Sequence, residues 1–173
     1  DLSLDIPPAI DPLRRRFEAV IREMVNALFR SGRSGVLNTA MDFSCCITDA
    51  NHQAISTALG LPIHVAAIDL ISRAVETKFG ADIHPGDCFA NNSAYHGNTH
   101  CGDFTLSVPI FVEGQLVFHA IARAHLGDMG FPTPTTYSPL SRDLYEEGLM
   151  LPCVRIQRDY ADLPDVLDIC KAN

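Results

Sequence analysis

Apolar positions recur along this chain with two different periods. From Asp11 onward, Phe17, Val20, Ile21, Met24 and Leu28 return every three or four residues, which predicts an amphipathic helix ending near Ser31-Gly32. Asp11-Pro12 supplies its start, with Asp as N-cap, and Pro7-Pro8 keeps residues 1–10 extended. Gly32–Thr39 reads as a Gly/Ser-rich connection. Two β-like runs follow, Met41–Thr48 and Gln53–Leu59, joined by the turn Asp49-Ala50-Asn51-His52, which leaves His52 in solvent. Helical spacing returns over Pro62–Phe79, where Ile63, Ala67, Leu70, Ile71, Ala74 and Val75 share one face and Gly80 stops the helix.

The second half changes character. Cys88-Phe89-Ala90 is a short strand, and Phe104–Ile110 with Gln115–Ala122 reads as a β-hairpin. Gly130–Ser138 has no periodicity and is rich in Pro and Thr, which suits a lid or a partner contact. Leu140–Leu149 suits a short helix, Met150–Gln157 a strand, and Leu163–Cys170 the beginning of a helix that is expected to continue in a longer chain. Interleaved hairpins and helices make this a mixed α+β fold, with 1–173 as one domain.

Composition narrows the function. The chain has 173 residues, enough for a substantial core, and a formal net charge of −8 with only Lys78 and Lys171 as lysines. That balance argues against nucleic acid and anionic membrane as partners. Charges or prolines interrupt every apolar run before it reaches the length of a membrane span. Six cysteines, none in a C-x-x-C pair, read as free thiols of a reducing cytoplasm. No phosphate-binding G-x-x-x-x-G-K-[ST], G-x-G-x-x-G or G-x-S-x-G sequence is present, so a nucleotide, if the reaction needs one, is expected on another chain.

The chemistry concentrates in Asn91–Asp103. His100-x-x-Asp103 is followed, beyond the hairpin, by His125-x-x-Asp128. A hairpin returns the chain to its origin, so both pairs should meet at its open end. Two imidazoles and a carboxylate at one point suit a borderline divalent cation such as Zn, Mn or Fe. The same residues equally suit a polar loop with one core histidine. Asp42 fits either an edge residue or an inward ligand, and His64 either a cleft or simple packing. Tyr95 and His96 suit proton transfer or substrate contact as well as a bland loop. Arg123 suits a phosphate or carboxylate ligand, or an ion pair with Asp103 or Asp128. Cys101 lacks an evident base and is not expected to be a nucleophile.

Several stretches carry a family resemblance: Asp42-Phe43-Ser44-Cys45, Leu61-Pro62-Ile63-His64, Pro85-Gly86-Asp87, Asn91…Gly97-Asn98-Thr99-His100-x-x-Asp103, Val108-Pro109-Ile110-Phe111-x-Glu113-Gly114, Arg123-Ala124-His125-x-x-Asp128-Met129-Gly130 and Glu147-Gly148-Leu149. In order and spacing they resemble the N-terminal section of the hydantoinase B/oxoprolinase family, the metal-bearing subunits of hydantoinases, lactam hydrolases and ATP-dependent ketone carboxylases. The resemblance implies one metal, Zn or Mn ahead of Fe, held by Asp42, His100, Asp103 and His125. It moves Asp128 to a supporting position; Arg123, His64 and Asn98 join it as candidates for supporting the ligands or contacting substrate. It also implies a hydantoinase A-like partner subunit that binds ATP in a hetero-oligomer. Asn91-Asn92 and Gly97-Asn98 are similar to the acetone carboxylase subunit, whereas Asp42–Cys45 and Arg123–His125 are similar to hydantoinase members. The resulting expectation is ATP-dependent carboxylation of a ketone with bicarbonate. The alternatives are ATP-dependent hydrolysis of a cyclic amide (hydantoin, lactam or 5-oxoproline) and a structural subunit with a vestigial metal site.

Overall fold

The computed structural model describes residues 10–58, 67–133, 135 and 137–173. Among these, seven strands form one antiparallel sheet in the order β2-β1-β5-β4-β3-β6-β7. They are β1 (Phe43–Asp49), β2 (Ala54–Thr57), β3 (Cys88–Asn91), β4 (Asp103–Val112), β5 (Gln115–His125), β6 (Val154–Arg158) and β7 (Ala161–Asp162). The helices are α1 (Ile10–Ser31), α2 (Gly35–Asn38), α3 (Asp69–Phe79) and α4 (Pro164–Ala172). The fold is α+β, as the interleaved periodicities predict.

The hairpin β4–β5 is the centre of the sheet. Glu113 and Gly114 both have positive φ, 50° and 79°, the turn geometry that matches strand twist and fixes register. That register pairs Asp103 with His125 at the open end. Helices α1 and α4 cover one face: Phe17, Ile21, Met24, Val25 and Leu28 pack on Cys45, Ile47, Phe118 and Ala122, and Val166, Leu167 and Cys170 pack on Phe104, Leu106 and Val108. Helix α3 covers the other face, where Ile68 and Ile71 meet Cys46 and Ile121, and Val75 meets Phe89.

The α3 face of the hairpin is the polar one. Asp103, Thr105 and Ser107 of β4 and His119, Arg123 and His125 of β5 are all buried, while Phe104, Leu106 and Val108 are only half-buried. Burial of that many polar groups requires hydrogen bonds among them. Arg123 Nε donates to Thr105 Oγ1 at 3.0 Å, Thr105 Oγ1 donates to Asn98 Oδ1 at 2.8 Å, and Ser107 Oγ lies 3.3 Å from His119 Nδ1.

Several expectations are corrected. His52 is not in solvent; it is 6% exposed, because the turn folds back and brings its Nε2 onto Glu76 of α3. Asp11 lies inside the first turn of α1 and pairs with Arg14 and Arg15, at 3.3 and 2.6 Å. Val20 is 45% exposed, since the stripe runs through Val25 instead. The Gly/Ser connection contains the helical turn α2, capped by Ser34, whose hydroxyl accepts from Leu37 N at 3.3 Å. Leu140–Leu149 forms only the 3₁₀ turn Leu144–Glu147. The extended reading of residues 1–9 and the first part of the Pro62–Phe79 helix lie outside the described residues.

Candidate metal centre

The site forms where the loop after β3 enters β4. Two buried asparagines hold that loop. Asn91 Nδ2 donates to His96 O at 2.8 Å. Asn92 Nδ2 donates to Cys101 O and Leu149 O at 2.9 and 2.8 Å, and its Oδ1 accepts from Leu151 N at 2.6 Å. Asn98 donates to the carbonyls of His100 and Asp103 and accepts from Thr105, so it ties the loop to the buried polar layer. Backbone groups that would otherwise be stranded in the interior are thereby paired.

His100, Asp103 and His125 come together, each offering one ligand atom within 4.8 Å of the others. Asp103 Oδ1 lies 3.1 Å from His100 Nε2 and 3.2 Å from His125 Nδ1, and Asp103 Oδ2 accepts from Thr99 Oγ1. Atoms bound to a cation at about 2.1 Å sit roughly 3.0–3.4 Å apart, so these separations suit neighbouring ligands as well as hydrogen bonds. Among the described residues, His125 Nε2 is buried without a hydrogen-bond partner. Gly102 completes the cradle: a Cβ there would stand 2.7 Å from His125 Cε1 and 2.8 Å from His100 Cε1. The donor set, the orphaned ring nitrogen and the space only glycine leaves all fit a divalent cation.

Charge agrees. The hydrogen bond to Asp103 holds His100 above the usual histidine range against burial, with help from the Glu147 and Asp42 carboxylates. Asp42 stands outside the triad but acts on both His100 and Tyr137, and its carbonyl accepts from His125 N at 3.0 Å. Burial, assisted by Asp42 and Asp103, raises the Tyr137 phenol. Tyr137 stacks on both imidazoles, with centroids 5.5 Å from His100 and 5.0 Å from His125. Beside them opens a cleft of about 570 Å³ lined by His100, Phe131, Tyr137, Ser138, Pro139 and Glu147.

The remaining sequence candidates are dispersed. Asp128 is exposed, and its Oδ1 accepts from Gly130 N at 2.8 Å, as turn chemistry does. Arg123 is fully buried below the triad; burial pushes its pKa down while Asp103 opposes the shift. Tyr95, 82% exposed, and His96 lie on the 3₁₀ turn Ala94–His96 and line a different cleft, against α3. His64 lies outside the described residues. Cys101 is buried and its thiol is pushed up to about 11 by burial, which leaves little thiolate. Residue types did not single out Tyr137 and Glu147 for this site; the signals available were the Pro/Thr-rich segment and the Glu147-Gly148-Leu149 stretch.

A family model described as hydantoinase B/oxoprolinase matches residues 9–173. Caprolactamase subunit beta of Pseudomonas jessenii is 30% identical over 167 residues, 96% of this chain and 29% of that protein. The crystal structure of the ATP-dependent caprolactamase from Pseudomonas jessenii is similar with a TM-score of 0.85 at 30% identity, over 96% of this chain and 29% of that one. Acetophenone carboxylase delta subunit of Aromatoleum aromaticum is 26% identical over 172 residues, 96% of this chain and 25% of that protein. These relatives are enzymes, and the chain spans less than a third of their length. Matched over nearly all its residues, the chain belongs to the hydantoinase B/oxoprolinase family.

Proposed function

We propose that His100, Asp103 and His125, with Asp42 beside them, hold one divalent cation, and that this chain is the N-terminal, metal-bearing section of a subunit in an ATP-dependent enzyme that hydrolyses a cyclic amide. The observation that supports this most is the triad itself, with its ligand atoms gathered at the edge of an open cleft. The likeness to a caprolactamase over 96% of the chain supports the choice of substrate. Mixed imidazole and carboxylate donors suit Zn or Mn, with Fe third. When bound, the cation supplies Lewis-acid polarisation of a carbonyl oxygen, a stabilisation of several kcal/mol.

The chain's own residues do the rest. Thr99 and the Asn98 network fix the Asp103 carboxylate and the loop that carries it. Gly102 N lies 3.3 Å from His100 Nδ1, and the other ring nitrogen of His100 faces Asp103. Tyr137 covers the faces of both imidazoles and limits water on that side. ATP is assigned to a hydantoinase A-like partner in a hetero-oligomer, and free thiols agree with a cytoplasmic enzyme. Among the described residues no helix is long and apolar enough to cross a membrane.

The likeness to acetophenone carboxylase delta subunit supports a second reading, ATP-dependent carboxylation of a ketone, in which the same residues would hold the cation and it would supply Lewis-acid stabilisation of developing negative charge on oxygen. Bicarbonate separates the two. The full-length subunit, assembled with its ATP-binding partner, should consume ATP and open a lactam without bicarbonate. Turnover only with a ketone and bicarbonate would reverse the assignment.

A further inference from the structure

Among the described residues that line the cleft, Glu147 carries a carboxylate that neither the triad nor the fold uses. It closes the 3₁₀ turn Leu144–Glu147 and is half-buried on the wall of the cleft that Tyr137 and His100 also line. Among the described residues its carboxylate has no hydrogen bond and no ion pair, whereas Glu146 next to it is engaged by Arg142. Its position is fixed by the backbone. Gly148 has φ 103°, and a Cβ there would meet Met129 O at 2.1 Å, so the segment passes where only glycine fits. Leu149 is then held by Asn92 and by a hydrogen bond from its N to Met129 O at 2.6 Å. The carboxylate is near enough to His100 to act on its charge, yet it is not among the three residues whose ligand atoms cluster.

Apart from His100, the described lining is aromatic and apolar (Phe131, Tyr137, Pro139), with hydroxyls on Tyr137 and Ser138. Among the described residues no Lys or Arg lines it. A fixed acceptor beside a metal triad, in a wall without cations, suits a neutral ring that carries an N–H. It disfavours a ring that carries a carboxylate, because like charges in a half-buried cleft repel. A divalent cation in the triad would offset the carboxylate of Asp103 and leave Glu147 as an acceptor.

We propose that Glu147 is a specificity-determining residue: it accepts the amide N–H of an uncharged cyclic amide and so selects unsubstituted lactams over N-alkylated or carboxylate-bearing ones. The proposal rests on the cyclic-amide reading above. Hydrogen bonds to charged groups are strong enough that loss of this one should weaken lactam binding roughly ten- to hundred-fold.

The test is calorimetric binding of three probes to the metal-loaded full-length subunit without ATP, followed by steady-state kinetics of the assembled complex. The probes are an unsubstituted seven-membered lactam, its N-methyl derivative and 5-oxoproline. Wild type should bind the unsubstituted lactam best. Glu147→Ala should raise Kd and KM for that lactam, leave the N-methyl derivative unchanged and keep its metal. Glu147→Gln, which retains an acceptor oxygen without the charge, should recover part of the lactam affinity and relax the rejection of 5-oxoproline. Equal preference for the two neutral lactams in wild type, or an unchanged ratio in both variants, would overturn the role of Glu147 while leaving lactam hydrolysis standing. Absence of any lactam binding or turnover by metal-loaded wild type would overturn the hydrolase reading and this proposal together.

Discussion

Gly102→Ala is the substitution that tests the cradle most sharply. The backbone of Gly102 lies outside the left-handed region, so alanine is tolerated there, and any effect comes from the added methyl group. That methyl would stand 2.7 Å from His125 Cε1 and 2.8 Å from His100 Cε1. Ordinary carbon–carbon contacts begin near 3.5 Å, so the rings must separate from it by roughly 0.7–0.8 Å. The backbone of this loop cannot supply the movement, because Leu126 N donates to Gly102 O at 2.9 Å and Gly102 N donates to His100 Nδ1. The imidazoles therefore move. Metal–ligand distances tolerate only about 0.2 Å, and disturbing the support of a ligand typically lowers affinity roughly ten- to hundred-fold. We expect at least that loss for Zn or Mn, read by competition with a chelator, together with about 1–3 kcal/mol of overpacking strain read by urea unfolding. Gly35→Ala, where an added Cβ meets nothing within 4 Å, is the control and should leave metal affinity unchanged without lowering stability. Wild-type metal affinity in Gly102→Ala would refute the claim that this glycine makes room for two ligands.

Other outcomes follow from the same geometry. Asn92→Ala strands Leu151 N and the carbonyls of Cys101 and Leu149 in the interior, and should lower stability by about 3–5 kcal/mol, seen as a melting point lower by roughly 10 °C. Burial pushes His119, beside His52 and Glu76, down to about 4, so the folded chain holds it neutral while the unfolded chain protonates it below about 6.5. The unfolded state then binds more protons, so this stability is present above about pH 6.5 and lost as pH falls toward 4, by about 2 kcal/mol near pH 5; His119→Leu should flatten that slope in urea titrations. Thiol labelling of native protein at pH 8 should modify Cys170 alone, because the other five cysteines are buried, and labelling of Cys101 before unfolding would contradict its burial.

The centre of the site was legible for a topological reason. Repeated His-x-x-Asp spacing on either side of one hairpin places the first Asp opposite the second His whenever the turn is tight, and Glu113-Gly114 makes it tight. The second Asp did not follow, because Asp128 lies three residues beyond the end of β5 and serves a local turn. Tyr137 and Glu147 arrive from an aperiodic segment, where neither period 2 nor period 3.6 says which way a residue faces. Alternation also predicted strands β4 and β5 correctly without indicating which face is buried. Here Arg123 pairs with Thr105 and Ser107 with His119, so these polar residues go inside by hydrogen-bond pairing between strands and not by hydropathy. His52 was misplaced for a similar reason. Asp49-Ala50-Asn51 looks like an exposed turn and is one, but the residue after it bends back with φ 66° to reach Glu76 on α3.

The measurement that bears most directly on the metal centre is elemental analysis of the purified full-length protein by mass spectrometry, beside His125→Ala and Asp103→Asn. We expect about one Zn, Mn or Fe per wild-type chain and near-complete loss in both variants, with folding confirmed by circular dichroism. Folded wild type that takes up no divalent ion after incubation with Zn or Mn, or variants that keep it, would contradict the assignment of His100, Asp103 and His125 as a metal site.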